Sequence, residues 1–225
     1  MKIISFNTMY IDYEKKYNPN SKILKDYPDE KNRLLKICEI ISKNTTNDTI
    51  ICLQECSSLL VSMLKNKIDT QFTIFSFEID LDIFLVTIAH NSLYFNDELL
   101  PKNIYEKFAH GFLIISNNDI RIINCHLKPK FVTKNNDSFL LIKNSSQTKK
   151  CIVAGDFNDK SNIFKNYLEG YTIPYFGPTY KNNKHIDYII FNFKDNCELK
   201  YEVKKLNTYS VSDHCAIFLE ITNNN

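Results

Sequence analysis

Residues 151–158 read CIVAGDFN, an apolar run that ends at Gly155 and is followed by the polar side chains of Asp156 and Asn158. The apolar residues predict a buried strand, and Gly155 lets the backbone turn sharply after it. Asp156 and Asn158 project to the same side if the chain is extended there, and a turn could also bring them together. The structural alternative is an Asx turn that caps a helix beginning near Ser161. We favour a functional pair at this strand end.

Other polar residues stand at or near the ends of apolar runs. They are Asn7, Glu55, His126, Asp187 and His214. Strand ends hold side chains rigidly while leaving them open to solvent, which suits a catalytic site. Taken alone, Asn7 is best interpreted as a turn former and His126 as a structural residue. Glu55 needs a metal ion or a lysine, because burying a lone carboxylate is costly.

Asp187 lies inside the apolar run 186–191, where its charge requires a partner. His214 is the predicted partner, since neighbouring side chains diverge and His214 therefore pairs poorly with Asp213. We expect Asp187 and His214 to be hydrogen-bonded on adjacent strands, which would raise the pKa of His214 and free Asp213 to serve a metal. The alternative is a surface pair between Asp187 and a lysine such as Lys184.

The whole set contains four carboxylates, two amides and two imidazoles: Glu55, Asp156, Asp187, Asp213, Asn7, Asn158, His126 and His214. Oxygen ligands suit Mg²⁺ or Mn²⁺, which would neutralise a phosphate. A histidine held by a carboxylate can act as a base or a phosphate ligand near neutral pH. An asparagine can hold a phosphoryl oxygen or a water without adding negative charge. The set therefore indicates phosphoryl transfer.

Apolar patterning predicts the other elements. Helices are predicted from Asp29 onward and over 59–64, and residues 10–28 are predicted to form a loop. Strands are predicted at 2–6, 49–53, 72–77, 83–89, 112–116, 120–125, 198–204 and 215–221, with a hairpin turn at 117–119. Helices mixed with many adjacent strands indicate an α/β domain with two sheets covered by helices, not a doubly wound parallel sheet.

The composition is that of an ordinary soluble globular protein, with 225 residues, 44% hydrophobic residues and a net charge of +2. No apolar run suits a membrane helix or a signal peptide, so we expect an intracellular protein, cytoplasmic or nuclear. The seven cysteines form no Cys-x-x-Cys pair and predict buried thiols in a reducing compartment, not a zinc site. The charge neither indicates nor excludes a nucleic-acid partner.

Six short motifs, in order along the chain, resemble those of the endonuclease/exonuclease/phosphatase superfamily. They are SFN at 5–7, LQE at 53–55, NCHL at 124–127, GDFN at 155–158, IDYI at 186–189 and SDH at 212–214. The resemblance implies a deoxyribonuclease I-like fold, a four-layer α/β/β/α sandwich of two mixed sheets, in a single domain over residues 1–225. It also implies a divalent-metal-dependent phosphodiesterase.

The resemblance implies a role for each residue at a metal site. Glu55 would be the main ligand of Mg²⁺ or Mn²⁺, with Asn7 beside it. Asp213 would assist the metal or a water.

The remaining residues would act on phosphate and water. Asp156 would orient or deprotonate the attacking water, and Asn158 would hold phosphate. Asp187 would orient His214, and His126 would bind the scissile phosphate on the side opposite the metal.

The branch of the superfamily is indicated by His126-Leu127, where AP endonucleases carry Tyr-x-Pro-Asn. This chain is more similar to the tyrosyl-DNA phosphodiesterase 2, Ccr4-type deadenylase and sphingomyelinase-like branches. His185 stands where relatives often have Arg, so a phosphate contact from this position is not expected.

A nucleic-acid substrate is favoured by the lysines that follow His126, which could track a phosphate backbone if part of the segment lies beside the site. They are Lys128, Lys130, Lys134, Lys143, Lys149 and Lys150. The alternative interpretation of this segment is a solvated surface loop. Alternative functions are a phosphatase, a sphingomyelinase-like lipid phosphodiesterase, or a catalytically inactive binding module. We expect a monomer.

Overall fold

The computed structural model describes residues 1–17, 19–98, 111–127, 136–145, 150–159, 163–193 and 199–222. The helices are α1 (Ile11–Tyr17), α2 (Lys22–Asp26), α3 (Glu30–Asn44), α4 (Ser58–Lys67) and α5 (Asn136–Ser145), with 3₁₀ turns at Asn91–Leu93 and Ile163–Asn166. The strands are β1 (Lys2–Asn7), β2 (Thr49–Cys56), β3 (Phe72–Asp80), β4 (Ile83–His90), β5 (Asn96–Asp97), β6 (Gly111–Ser116), β7 (Ile120–His126), β8 (Lys150–Asp156), β9 (Asp187–Asn192), β10 (Lys200–Leu206) and β11 (Ala216–Thr222).

The strands form two mixed sheets, with the orders β10-β11-β1-β2-β4-β3 and β5-β6-β7-β8-β9. Each sheet contains one parallel pair, β1 with β2 in the first and β7 with β8 in the second. Parallel strands bring their carboxyl ends to the same edge of a sheet. Asn7 and Glu55 therefore lie at one edge of the first sheet, and His126 lies directly opposite Asp156 at an edge of the second.

Three apolar layers hold the sandwich together. The inner faces of the sheets pack on each other through residues such as Ile50 and Ile152. Helices α3 and α4 cover the outer face of the first sheet, where Ile37 and Leu60 are fully buried. Helix α5 and the turn at 163–166 cover the second sheet around Phe139. The predicted four-layer α/β/β/α architecture is confirmed.

The two predicted helices begin at capping residues. Asp29 accepts a hydrogen bond from the backbone N–H of Asn32 at 3.0 Å, at the start of α3. The hydroxyl of Ser57 accepts one from the N–H of Leu60 at 3.1 Å, at the start of α4. These bonds satisfy N–H groups that the first turn of a helix leaves free.

Two expectations about local structure are corrected. The predicted loop at 10–28 contains the short helices α1 and α2. The segment after His126 contains helix α5, because Phe139 and Ile142 pack on the outer face of the second sheet. The structural alternative placed a helix near Ser161, which lies outside the described residues, and the residues that follow form a 3₁₀ turn at 163–166.

Within the described ranges, no helix is long and apolar enough to cross a membrane. The six cysteines in these ranges are all buried and free, as predicted. The seventh, Cys197, lies outside them.

Candidate active site

Four polar side chains from the two sheets meet between the carboxyl ends of the parallel strand pairs. The amide nitrogen of Asn7 donates to Oε1 of Glu55 at 2.9 Å and to Oδ2 of Asp156 at 3.1 Å. Nε2 of His126 lies 3.3 Å from Oε1 of Glu55 and 3.8 Å from Oδ2 of Asp156. Asn7, in the first sheet, therefore joins a carboxylate of its own sheet to one of the second.

The orientation of Asn7 is fixed by the backbone that follows it. Its side-chain oxygen accepts a hydrogen bond from the N–H of Met9 at 2.9 Å. The amide N–H groups consequently face the carboxylates. The backbone N–H of Tyr10 donates to Oε2 of Glu55 at 3.0 Å, so this short loop also orients the glutamate.

Three residues of the site have left-handed backbone conformations, which side-chain-bearing residues rarely adopt. The φ angles are +61° at Met9, +53° at Glu55 and +49° at Asn158. Glu55 also lies where the pairing of β2 with β4 shifts register, between Leu53 and Cys56. Such conformations persist only where the surroundings impose them, and they cluster at functional sites.

Asp187 and His214 form the predicted hydrogen-bonded pair. Nδ1 of His214 lies 3.1 Å from Oδ1 and 3.0 Å from Oδ2 of Asp187, and both side chains are buried. Nε2 of His214 faces the cleft, 3.9 Å from Oδ2 of Asp156 and 3.9 Å from Oδ1 of Asp213. The expectation that the pair sits on adjacent strands is wrong, because Asp187 begins β9 in the second sheet and His214 precedes β11 in the first. The pair therefore connects the two sheets.

The two histidines of the cleft differ in charge. Burial alone would lower the pKa of His214, but Asp187, Asp156 and Asp213 outweigh it and raise that pKa from 6.5 to about 10. Burial lowers the pKa of His126, against the attraction of Glu55. At neutral pH the cleft thus holds a cationic His214 beside a neutral His126.

Burial and neighbouring acidic groups oppose the ionisation of two carboxyl groups in the cleft. Burial and the charges of Asp187 and Glu55 raise the pKa of Asp156 well above its ordinary value. Burial, together with the charge of Glu55, also raises the pKa of Asp213. Buried acidic groups whose ionisation is opposed by their neighbours fit a site for a divalent cation.

Among the residues that the structure describes, two groups of side chains could hold a metal ion, and Asp156 belongs to both. One contains Glu55, His126 and Asp156, and the other Asp156, Asp187 and His214. Of the three predicted ligands, Glu55 is in the first group. Asn7 presents N–H groups to the cleft, and Asp213 belongs to neither group although its Oδ1 lies 3.9 Å from Nε2 of His214, so their ligation stays a prediction.

Asn158 completes the set of predicted site residues. Its backbone N–H donates to Oδ1 of Asp156 at 2.8 Å, which is the Asx turn named as the structural alternative. Its amide nitrogen donates to the carbonyl oxygen of Leu127 at 2.7 Å and so links the loops after β7 and β8. Every predicted residue lies in one connected cluster, and the Asx turn is part of how that cluster is built.

Several residues that shape the site were not found from the sequence. The hydroxyl of Thr179 accepts hydrogen bonds from the N–H groups of Ile186 at 3.3 Å and Asp187 at 3.2 Å. The hydroxyl of Ser212 donates to the carbonyl of Asn7 at 2.8 Å and accepts from the N–H of His214 at 3.1 Å. Nothing in the local pattern around Thr179 distinguishes it, because its partners are backbone groups distant in sequence.

Arg33 is the most consequential omission. It is buried, and its guanidinium donates to the carbonyl oxygens of Thr8 at 2.6 Å, Met9 at 2.9 Å and Val211 at 2.7 Å. It also forms an ion pair with Glu30 at 2.6 Å. Arg33 thus holds together the loops that follow Asn7 and precede Asp213. A signal was present, since an arginine four residues before Ile37 stands on the apolar face of α3.

The lysines that follow His126 were expected to lie partly beside the candidate active site, and the two that the structure describes do not support this. Lys150 begins β8, whose other end carries Asp156, so about 20 Å of strand separates the two. Lys143 lies in the last turn of α5, the part of that helix nearest in sequence to Lys150. Lys128, Lys130, Lys134 and Lys149 lie outside the described residues. The described lysines of this segment therefore do not support a phosphate-backbone track.

The sequence matches no protein-family model and no curated protein. Solved structures do match the fold over nearly the whole chain. An endonuclease/exonuclease/phosphatase family protein from Leptotrichia buccalis has 16% identity and a TM-score of 0.67, covering 99% of each chain. D. rerio TDP2 complexed with a single-strand DNA product has 14% identity and a TM-score of 0.66, covering 99% of each. A mannosyl-6-phosphatase from Bacteroides thetaiotaomicron has 12% identity and a TM-score of 0.67, again covering 99% of each. The chain therefore has the fold of endonuclease/exonuclease/phosphatase proteins.

Proposed function

We propose that this protein is a divalent-metal-dependent hydrolase of phosphodiesters, in the endonuclease/exonuclease/phosphatase superfamily. The observation that carries the proposal is the position of Asp156. It shares one hydrogen-bonded cluster with Asn7, Glu55 and His126, and it lies 3.9 Å from the imidazole of His214. A cation bound on the Glu55 side of Asp156 and the cationic imidazole of His214 on its other side could both neutralise the charge of a phosphate held between them.

Glu55 and Asp156 would hold Mg²⁺ or Mn²⁺, with Asn7 and Asp213 as the further ligands expected from the family. The raised pKa values of Asp156 and Asp213 support a bound cation, because a cation would offset the burial and the neighbouring charges that oppose their ionisation. When bound, it supplies charge neutralisation for the phosphate and for the leaving oxygen.

The protein's own residues would do the rest. His214 is held by Asp187 through Nδ1, so its protonated Nε2 can donate a hydrogen bond to a phosphoryl oxygen. Asp156 would accept a proton from the attacking water or orient that water. Asn158 and His126 would contact the phosphate, as the superfamily pattern implies.

For the substrate we favour a nucleic acid. TDP2, with the same fold, binds a single-strand DNA product, whereas the Bacteroides thetaiotaomicron protein is a mannosyl-6-phosphatase. The fold alone therefore accommodates both substrate classes. A phosphatase or a lipid phosphodiesterase is the alternative, as is a binding module without activity. We expect the chain to act as a single-domain monomer.

The test is hydrolysis of bis(4-nitrophenyl) phosphate, a phosphomonoester and an oligonucleotide by the purified protein, each with Mg²⁺ or Mn²⁺. Diester hydrolysis should stop on chelation. Glu55→Ala and His214→Ala should each lose at least roughly 10²-fold in kcat. Lys36→Ala, on the exposed side of α3, is the control that should leave the rate unchanged. Activity that persists undiminished in a chelator would overturn the metal assignment, and cleavage of monoesters alone would favour a phosphatase.

A further inference from the structure

Tyr175 is held out into solvent by its neighbours. Its exposure is 72%, while Pro174 and Phe176 on either side are both buried. The loop that carries it is attached at both ends, by backbone hydrogen bonds between Thr172 and Phe191 and by the contacts of Thr179 with the start of β9. An apolar ring fixed outside the core in this way is already ordered for binding.

A stack of aromatic rings connects Tyr175 to the core. Its ring lies 5.1 Å from that of His185, edge to face, and the His185 ring lies 4.3 Å from that of Tyr188 at 31°. Tyr188 is buried and packs against Phe157 and Phe164 at 5.2 and 4.6 Å. Tyr175 is therefore the exposed end of a rigid stack.

The stack ends at the rim of the candidate active site. His185 precedes Asp187 by two positions, which is about 7 Å of extended chain. The charge of Asp187 acts on His185, partly offsetting the burial that lowers the pKa of that imidazole. Tyr175 therefore lies near the end of β9 at which Asp187 pairs with Asp156, the end of the second sheet that carries the cleft.

The same rim is basic, and the opposite rim is acidic. The ammonium group of Lys205 donates to the carbonyl of Pro178 at 2.7 Å, three residues beyond Tyr175. The charges of Lys165 and Lys205 both act on His185, which places both on this side. Across the cleft, Tyr10 donates to Glu55 through its backbone and to Asp82 through its hydroxyl, at 3.0 and 3.1 Å.

That opposite rim is the turn between β3 and β4. It carries Asp80 and Asp82, and Glu78 accepts a hydrogen bond from the N–H of Asp82 at 3.1 Å. A polyanion would be repelled there and attracted to the lysines. An exposed aromatic ring beside lysines is the arrangement that binds single-stranded nucleic acid through base stacking and phosphate contacts.

We propose that Tyr175, His185, Lys165 and Lys205, which we call the Tyr175 rim, form a subsite for a nucleobase of single-stranded nucleic acid. The base stacks on Tyr175, and the strand leaves the cleft over Lys165 and Lys205. This inference rests on the proposed function and specifies its substrate class.

The test compares binding of two ten-nucleotide ligands by fluorescence anisotropy, one single-stranded DNA and one of abasic sugar-phosphate units. The full-length protein is used in a Glu55→Gln background with Mg²⁺, which suppresses cleavage. Tyr175→Ala should weaken binding of the DNA by about 5- to 100-fold, and Tyr175→Trp should retain it. Binding of the abasic ligand should change less than twofold.

Two matched controls are available. Tyr94 is 80% exposed and lies just past the end of β4 that is farthest from Glu55, so Tyr94→Ala should not affect binding. Lys165→Gln and Lys205→Gln should each reduce the salt dependence of log Kd by roughly 0.7, whereas Lys36→Gln should not.

Equal binding by Tyr175→Ala and Tyr94→Ala would overturn the subsite. An equal loss on the DNA and the abasic ligand would overturn base stacking. The protein that retains Glu55 tells failure of the Tyr175 subsite apart from failure of the proposed phosphodiesterase activity. Hydrolysis of bis(4-nitrophenyl) phosphate without DNA binding refutes only the subsite, and Tyr175-dependent DNA binding without any diester hydrolysis refutes only the proposed activity.

Discussion

Replacing Arg33 by methionine tests how the site is held in shape. Methionine fills similar space but removes every hydrogen-bond donor of the guanidinium. The carbonyl oxygens of Thr8, Met9 and Val211 would lose their bonds to it, which are 2.6 to 2.9 Å long. Each buried acceptor left without a partner costs about 1–3 kcal/mol. Allowing for relaxation and entry of water, we expect the free energy of unfolding to fall by roughly 3–5 kcal/mol.

The rate should also fall, beyond what instability explains. Thr8 and Met9 follow Asn7, and Val211 precedes Asp213 by two residues, so the loops that position both side chains lose a shared anchor. We expect kcat to fall at least roughly tenfold in the folded variant with KM little changed, because positioning affects the transition state most. Arg33→Lys should recover part of the loss, since one ammonium can satisfy some of the carbonyls.

The assay is urea unfolding followed by circular dichroism, combined with phosphodiester hydrolysis corrected for the folded fraction. Arg121→Met is the matched control. Arg121 is the other arginine of the chain, and its guanidinium contacts Glu98 at 2.9 Å near the start of β7, at the end away from His126. That variant should lose stability but keep kcat. If the corrected kcat of Arg33→Met is unchanged, or if Arg121→Met loses as much corrected kcat, the anchoring argument is refuted.

Three further predictions follow from the site. In Asp187→Asn, the stability deficit in urea should be large at pH 6 and shrink towards pH 10. The reason is that a His214 pKa raised from 6.5 to about 10 stabilises the fold fully below 6.5 and ceases to do so as pH rises through 10. An equal deficit at both pH values would contradict this. Mg²⁺ should raise Tm because it binds only the folded cleft, and Asp156→Asn should abolish that rise in a thermal melt. Gly155→Ala should prevent folding or cost more than about 3 kcal/mol, because its Cβ would lie 1.9 Å from the carbonyl oxygen of Cys125 at φ +154°. Gly170→Ala, in open space at φ +86°, should cost only about 1 kcal/mol in the same unfolding assay.

Much of the fold was predictable because the spacing of apolar residues within a short segment indicates a strand or a helix. The apolar runs around Ile50 and Ile152 and the helical spacing of Leu34, Ile37 and Ile41 each predict an element without reference to the rest of the chain. Helix α5 was missed, since its apolar residues form one short run, FLLI at 139–142, which does not show the spacing of a helical face. The burial of Phe139 and Ile142 depends on the second sheet, which local patterning does not include.

The gathering of the eight candidate residues in one cluster was predictable for a different reason. A polar side chain at the end of an apolar run is conspicuous, and Asp187 inside one requires a partner. The sequence does not show which strands are neighbours. The Asp187–His214 pair was therefore assigned correctly but to adjacent strands, when it spans the two sheets. A short run of residues also cannot reveal a left-handed conformation at Glu55, because the bulge against β4 imposes it.

The lysines after His126 show why the position of a charge in the sequence does not predict whether it lies near the candidate active site. A strand has two ends about 20 Å apart, so a residue near a catalytic strand in sequence can lie at the opposite end of the molecule, as Lys150 does. Lys205, some 50 residues beyond Asp156 in sequence, contacts the loop that carries Tyr175. The order of strands in the sheets decides which charges face the cleft, and composition alone does not. In this chain, the residues that determine substrate specificity should therefore be sought on the loops joining distant strands, whereas the candidate catalytic residues lie at or near strand ends.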